Sequence, residues 1–140
     1  MKISAEHTFC YSHRLMDHPG KCRFLHGHTG KVRVSVETDR TLEDGMVVDF
    51  QEFDALWKRI EDLFDHRVIL DPRDERLADM LEDLSFGRVA TLLAPPTAEN
   101  VALTMLSMAR TWAFGLKISG KITIRFWESP TEWAEISADI

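Results

Sequence analysis

Both ends of this chain alternate apolar and polar residues with a period of two. From Ile3 to His13 the odd positions read Ile3, Ala5, His7, Phe9, Tyr11 and His13, against Ser4, Glu6, Thr8, Cys10 and Ser12 between them. From Gly30 to Thr38, Val32, Val34 and Val36 fall on one side and Lys31, Arg33, Ser35 and Glu37 on the other. Lys121 to Glu128 alternates in the same way, and Thr131 to Ile140 follows across a Ser129-Pro130 turn. Successive side chains of a strand point to opposite faces, so each stretch predicts a strand with one face on a core. Strand pairs at both ends predict an antiparallel sheet that needs a cover on one side only.

The middle of the chain supplies the cover. Phe50, Phe53, Leu56, Trp57, Ile60, Leu63 and Phe64 recur at helical spacing, with Asp49 and Glu52 arranged as a capping box. A second long helix starts after Pro95-Pro96 with Thr97 as its N-cap. It carries Val101, Met105, Met108, Ala109 and Trp112 on one stripe and ends near Gly115. Before the first helix, Leu42-Glu43-Asp44-Gly45 reads as a turn and Met46-Val47-Val48 as a short strand ending at Asp49. Leu70 to Pro96 reads as a surface excursion with a short helix and a strand. The expected architecture is α+β, an antiparallel sheet with helices packed on one face. No Pro/Gly/Ser linker divides the chain, so residues 1–140 are expected to form a single domain.

Composition sets outer limits on function. The 140 residues are 44% hydrophobic and 29% charged, enough apolar mass for one core. With 23 acidic against 17 basic side chains the net charge is −6, which argues against a general binder of nucleic acid or anionic membranes. A local basic pocket stays open. No run approaches the ~20 apolar residues of a membrane span, and no signal-peptide pattern opens the chain, so a cytoplasmic location is expected. Two cysteines, Cys10 and Cys22, suit a reducing compartment.

Chemistry concentrates near the N-terminus, where five of six histidines lie between His7 and His28. His26 and His28, two apart, share a face of an extended segment and the parity of Val32, Val34 and Val36. His13 ends the apolar face of another strand. Three imidazoles there can supply three nitrogens to one metal, with a fourth position open, as in catalytic zinc sites. A packed histidine pair fits the same residues, and the sequence alone leaves the two readings even. His7 reads as a hydrogen-bonded core or interface histidine and His18 as a loop residue.

Other residues carry two readings as well. Cys22 is either a small buried apolar residue or, between Lys21 and Arg23, a thiolate placed to act as base or nucleophile. Cys10 points away from the apolar face and reads as structural. Asp65-His66 closes the first helix, so His66 either complements the helix dipole or holds a proton beside its carboxylate. Glu128 shares parity with Ile122, Ile124 and Phe126, where a charge needs a partner. It either meets solvent at the strand end or accepts two parallel hydrogen bonds from an amidine-like edge such as that of a pterin or guanine.

Taken together, the ordered stretches resemble the 6-pyruvoyl-tetrahydropterin synthase family, and within it the 6-carboxy-tetrahydropterin synthase branch. They are Phe9-Cys10-Tyr11-Ser12-His13-Arg14-Leu15, Cys22-x-x-x-His26-Gly27-His28, Gly45-Met46-Val47-Val48-Asp49-Phe50, Asp65-His66, Pro96-Thr97-Ala98-Glu99-Asn100 and Glu128-Ser129. The three-residue gap between Cys22 and His26 points to the carboxy branch. The sequence departs from the family pattern at Tyr11-Ser12, where small residues are usual, at Thr29-Gly30 after His28, and at Leu70.

The resemblance implies a tunnelling fold whose subunits join into a barrel and assemble as a homo-hexamer, a dimer of trimers. It implies Zn2+ on His13, His26 and His28. Cys22 would be the base, assisted by Asp65 and His66 from a neighbouring subunit. Glu128 would hold the pterin ring, with Thr97 nearby. The implied reaction is a lyase step on 7,8-dihydroneopterin triphosphate, releasing triphosphate and acetaldehyde and giving 6-carboxy-5,6,7,8-tetrahydropterin on the route to 7-deazaguanine-modified tRNA, with no direct nucleic-acid contact. A 6-pyruvoyl product from the same substrate, a pterin-binding module without catalysis, and a small metal-dependent structural protein are the competing readings. Arg14, Lys21, Arg23 and Lys31 are positioned as candidates for the triphosphate.

Overall fold

A computed structural model of the chain describes residues 1–85 and 87–140. One six-stranded sheet organises it. The strands are β1 (Lys2–His13), β2 (His26–Glu37), β3 (Arg67–Leu70), β4 (Arg88–Thr91), β5 (Lys121–Trp127) and β6 (Trp133–Asp139), and the helices are α1 (Phe53–Phe64), α2 (Glu75–Asp83) and α3 (Ala98–Gly115). Across the sheet the strands run β4-β3-β1-β2-β5-β6. The pairs β1–β2, β2–β5 and β5–β6 are antiparallel, as the alternation predicts.

The other two pairs correct the expectation of a wholly antiparallel sheet. β3 lies parallel to β1, and β4 parallel to β3 across a crossover that carries α2. Arg67-Val68-Ile69-Leu70 is a four-residue, mostly apolar run without alternation, as befits a parallel strand covered on both faces, and so it carries no period-two signal. Met46-Val47-Val48 forms no strand. Val47 and Val48 are instead buried in the core as part of an irregular segment. The capping box is also corrected. Asp49 accepts from Gln51 N–H and caps a single 3-10 turn over Phe50–Glu52, and α1 begins only at Phe53.

α1 and α3 cover one face of the sheet, and α2 packs against β4. Phe53, Leu56, Ile60 and Phe64 of α1 and Val101, Met105, Ala109 and Trp112 of α3 bury against Phe9, Val32, Val34, Ile122, Ile124 and Phe126. Thr97 caps α3 through Asn100 N–H at 3.4 Å, as expected from the sequence. Gly30 is needed by this core, because a Cβ there would lie 3.0 Å from Phe126, 3.1 Å from Phe9 and 3.1 Å from Tyr11. The opposite face is polar and charged, with ion pairs from Glu6 to Arg33 and from Arg125 to Glu135.

A buried acidic cluster ties the loop after β1 to the crossover after β3. Asp74 accepts a two-pronged ion pair from Arg14, and Asp71 accepts from Arg73, which also reaches Asp17. The Arg73 hydrogen bond holds the Asp71 carboxyl below the usual carboxylate range. The folded state therefore binds fewer protons at Asp71 than the unfolded chain does. Its stabilisation is complete above about pH 4 and is lost as pH falls through the lower folded value. We expect Asp71→Asn to lower stability at pH 7 by about 1–2 kcal/mol. In melts taken from about pH 7 down to about pH 2.5, the curves of variant and parent converge at the acid end. A gap that persists there would show that the charge is not responsible.

Candidate metal centre

Strand register brings the histidines together. His13 is the cross-strand partner of His26, and Tyr11 is that of His28, all on the face toward the helices. Opposed side chains on one sheet face come within contact distance, so two histidines on β2 and one on β1 converge at the end of the sheet. Among the described residues, His13, His26 and His28 offer ligand atoms that all lie within 4.8 Å of one another. The Nε2 atoms of His13 and His26 are 3.2 Å apart. Two nitrogens at ~2.05 Å from a tetrahedral zinc are separated by about 3.3 Å, so this spacing matches one edge of such a site.

The surroundings prepare these nitrogens to ligate. His13 Nδ1–H donates to the Pro96 carbonyl at 2.7 Å, and His26 Nδ1–H to the Phe24 carbonyl at 2.7 Å. A proton held on Nδ1 leaves the Nε2 lone pair facing inward, the arrangement that orients histidine ligands in metal sites. His28 Nε2 is buried with no hydrogen-bond partner. Burial lowers the pKa of His13 and of His28, the nearby Glu128 carboxylate opposing, which favours the neutral imidazoles a cation requires. Converging lone pairs and an orphaned buried nitrogen fit a bound cation.

Glu128, just past β5, leans over this triad. Its Oε1 is 3.3 Å from His13 Nε2 and 3.8 Å from His28 Nε2, and it accepts from the Tyr11 hydroxyl at 3.3 Å. Burial, then Glu128, pushes the Tyr11 hydroxyl pKa up, so it remains a donor. A cleft of about 530 Å³ opens beside them, lined by Gly27, His28, Lys31, Trp127, Glu128 and Ser129. A larger cleft of about 610 Å³ lies between α3 and the C-terminus, against Leu106, Arg110, Phe114 and Ile140, and contains no histidine or cysteine.

The remaining candidates are placed less closely. Cys22 sits in a 3-10 turn, Lys21–Arg23, partly exposed, and its carbonyl accepts from Leu15 N–H at 2.8 Å. Asp65 caps the end of α1, accepts from the Cys10 amide at 2.9 Å and pairs with His66 Nδ1 at 2.7 Å. The Cys10 amide, then His66, keeps the Asp65 carboxyl below its usual range. His66 itself has φ 53° and an exposed side chain. Among the described residues no hydrogen bond or ion pair joins Asp65 or His66 to Cys22 or to the triad. Thr97 follows Pro96, whose carbonyl holds His13, but its hydroxyl is engaged in capping α3.

Of the basic candidates, Arg14 is taken up by Asp74 and Lys31 lies 4.1 Å over the Trp127 ring. His7 stacks on Trp57 with Nε2 2.9 Å from Glu61, away from the triad, and Cys10 is exposed on the polar face. Tyr11 is the site residue that sequence reasoning misses, although its parity with His13 on the apolar face is a usable signal.

Three histidines that could hold one metal ion, set at the end of a helix-covered sheet, define a small α+β domain with a candidate metal centre. The family profile of 6-pyruvoyl tetrahydropterin synthase matches residues 2–139. The chain belongs to that family. It is 35% identical to the 6-carboxy-5,6,7,8-tetrahydropterin synthase of Haemophilus influenzae, over 96% of each chain. It is 31% identical to the Rickettsia bellii enzyme of the same name, over 97% of this chain and 99% of that one. Among solved structures, an uncharacterized Wolinella succinogenes protein superposes with a TM-score of 0.78 at 26% identity, covering 97% of both chains. The 6-pyruvoyl tetrahydropterin synthase of Plasmodium falciparum shares the fold, with a TM-score of 0.76 at 21% identity over 100% of this chain and 98% of that one. Among the described residues no helix is long and apolar enough to cross a membrane.

Proposed function

We propose that this chain is a zinc-dependent lyase that converts 7,8-dihydroneopterin triphosphate and one water to 6-carboxy-5,6,7,8-tetrahydropterin, releasing acetaldehyde and triphosphate. The observation that carries this reading is the Glu128 carboxylate 3.3 Å from His13 Nε2, beside a buried His28 Nε2 that has no partner. Hydrogen-bond recognition of a flat heterocycle and a cation site thus adjoin. The curated relatives named above support the carboxy product. An all-nitrogen donor set suits zinc.

In this reading His13, His26 and His28 hold the ion, which supplies Lewis-acid polarisation of a substrate oxygen. Glu128 accepts the ring N–H and amino group of the pterin, with Thr97 nearby, next to the Pro96 carbonyl that holds His13. Cys22 takes and returns protons at the substrate side chain. The Asp65–His66 pair, contributed by a neighbouring subunit, holds the proton that Cys22 exchanges, because Asp65 orients His66 through its Nδ1–H. That arrangement requires an oligomer, and we assign a homo-hexamer in the cytoplasm built from this single domain.

Product analysis tests the function. Purified protein incubated with 7,8-dihydroneopterin triphosphate is expected to release acetaldehyde and the 6-carboxy pterin. A 6-pyruvoyl product without acetaldehyde would assign the chain to the other activity of its family.

A further inference from the structure

We propose that Tyr11 is a positioning residue for ligand recognition: its hydroxyl holds the Glu128 carboxylate over the histidine triad, with its other oxygen left for the ligand. The inference rests on the reading of Glu128 as the pterin anchor and adds the group that aims it.

Glu128 lies one residue beyond β5, its amide donating to the Glu132 carbonyl at 3.2 Å, so the backbone sets the face it lies on but not the rotamers of its carboxylate. A glutamate has several rotatable bonds, and fixing them costs conformational entropy. Something must supply that order if the carboxylate is to meet a planar amidine edge with both oxygens aligned. Tyr11 is suited to do so. Its ring is 4% exposed and wedged among Phe9, Phe126, His13 and His28, with ring centroids 5.3–6.0 Å away. A ring so packed cannot swing, so its hydroxyl is a fixed donor at a fixed place.

The contacts divide the carboxylate in two. Oε1 receives the Tyr11 hydroxyl at 3.3 Å, which commits one of its lone pairs to the protein, and it lies 3.3 Å from His13 Nε2. Oε2 accepts no hydrogen bond among the described residues, and Glu128 lines the 530 Å³ cleft with Trp127 and Ser129. A ligand amino group or ring N–H therefore finds one free oxygen and the second lone pair of the other, already aligned. A buried tyrosine hydroxyl in turn needs an acceptor, and Glu128 is the acceptor it has. Ordering the anchor before the ligand arrives strengthens binding without adding a contact to the ligand.

Tyr11→Phe keeps the packed ring and removes the donor. Neopterin, an oxidised pterin that is not turned over, serves as the probe, titrated by fluorescence against zinc-loaded and metal-depleted protein. We expect Tyr11→Phe to weaken neopterin binding about tenfold in both forms. KM for the substrate should rise more than kcat falls, with the zinc content kept. Glu128→Gln is expected to lose more, and the double variant to be no weaker than Glu128→Gln alone, since Tyr11 acts through Glu128. Parent-like neopterin binding by Tyr11→Phe, with binding lost in Glu128→Gln, would overturn the role of Tyr11 and leave the anchor standing. Unchanged binding in Glu128→Gln would instead overturn the reading of the anchor itself. Zinc loss from Tyr11→Phe would overturn the proposal in favour of a role in metal retention.

Discussion

His28→Ala is expected to remove the metal and the activity together while the chain stays folded. The parent should contain about one zinc per chain, and the variant far less. Turnover should fall by about a thousandfold or more, the equivalent of the several kcal/mol that a Lewis acid contributes to a charged transition state. Folding should survive because the core is built elsewhere. Phe53, Leu56, Ile60, Phe64, Ile122, Ile124 and Phe126 are fully or almost fully buried without involving the triad. His28 lies at the start of β2, beyond Val32, Val34 and Val36, and burial already keeps its imidazole averse to charge. Chelation of the parent should therefore abolish turnover and leave the cooperative melt in place. A chain that unfolds on chelation would instead give the ion a structural role.

The second large effect belongs to Cys22. Cys22→Ala is expected to lower kcat by about 10²–10⁴, the range for loss of a positioned general base, with zinc content and neopterin affinity preserved. Lys21 and Arg23 flank it in a surface turn where it is partly exposed. Its turn is held to the rest of the chain by the Leu15–Cys22 backbone hydrogen bond and, further along, by the Arg14–Asp74 ion pair. The substitution should therefore leave the fold intact. Steady-state kinetics with the alanine and serine variants, alongside neopterin titration, check this. A parent that binds neopterin but never turns substrate over would identify a binding module, and Cys22→Ala would then bind as the parent does.

Much of the architecture is legible in the alternation. The long strands that make the antiparallel part of the sheet repeat with period two over seven or more residues, and the two long helices carry apolar residues at 3-4 spacing. What escapes it is short or governed by distant partners. β3 and β4 are four residues each and join the sheet in parallel, through pairings that no local pattern encodes. Met46-Val47-Val48 has the look of a strand because three apolar residues after a turn usually form one. Here the apolar burial is real, but the backbone finds no neighbouring strand.

The candidate site divides along the same line. Parity within a strand is a local property, and it suffices to put His13, His26 and His28 in phase with buried residues. Which histidine faces which is a property of register between strands far apart in sequence. Only tertiary pairing sets His13 opposite His26, with their Nε2 atoms 3.2 Å apart. The same pairing puts Tyr11 opposite His28, where a residue that reads as ordinary core meets Glu128 from the far end of the chain. The sequence by itself determined which faces are buried and which side chains lie on them, because backbone geometry repeats every two or about every 3.6 residues. Tertiary structure alone decided which of those side chains share one site. That depends on long-range hydrogen-bond ladders, and a shift of one residue in register would turn every histidine on β2 to the opposite face.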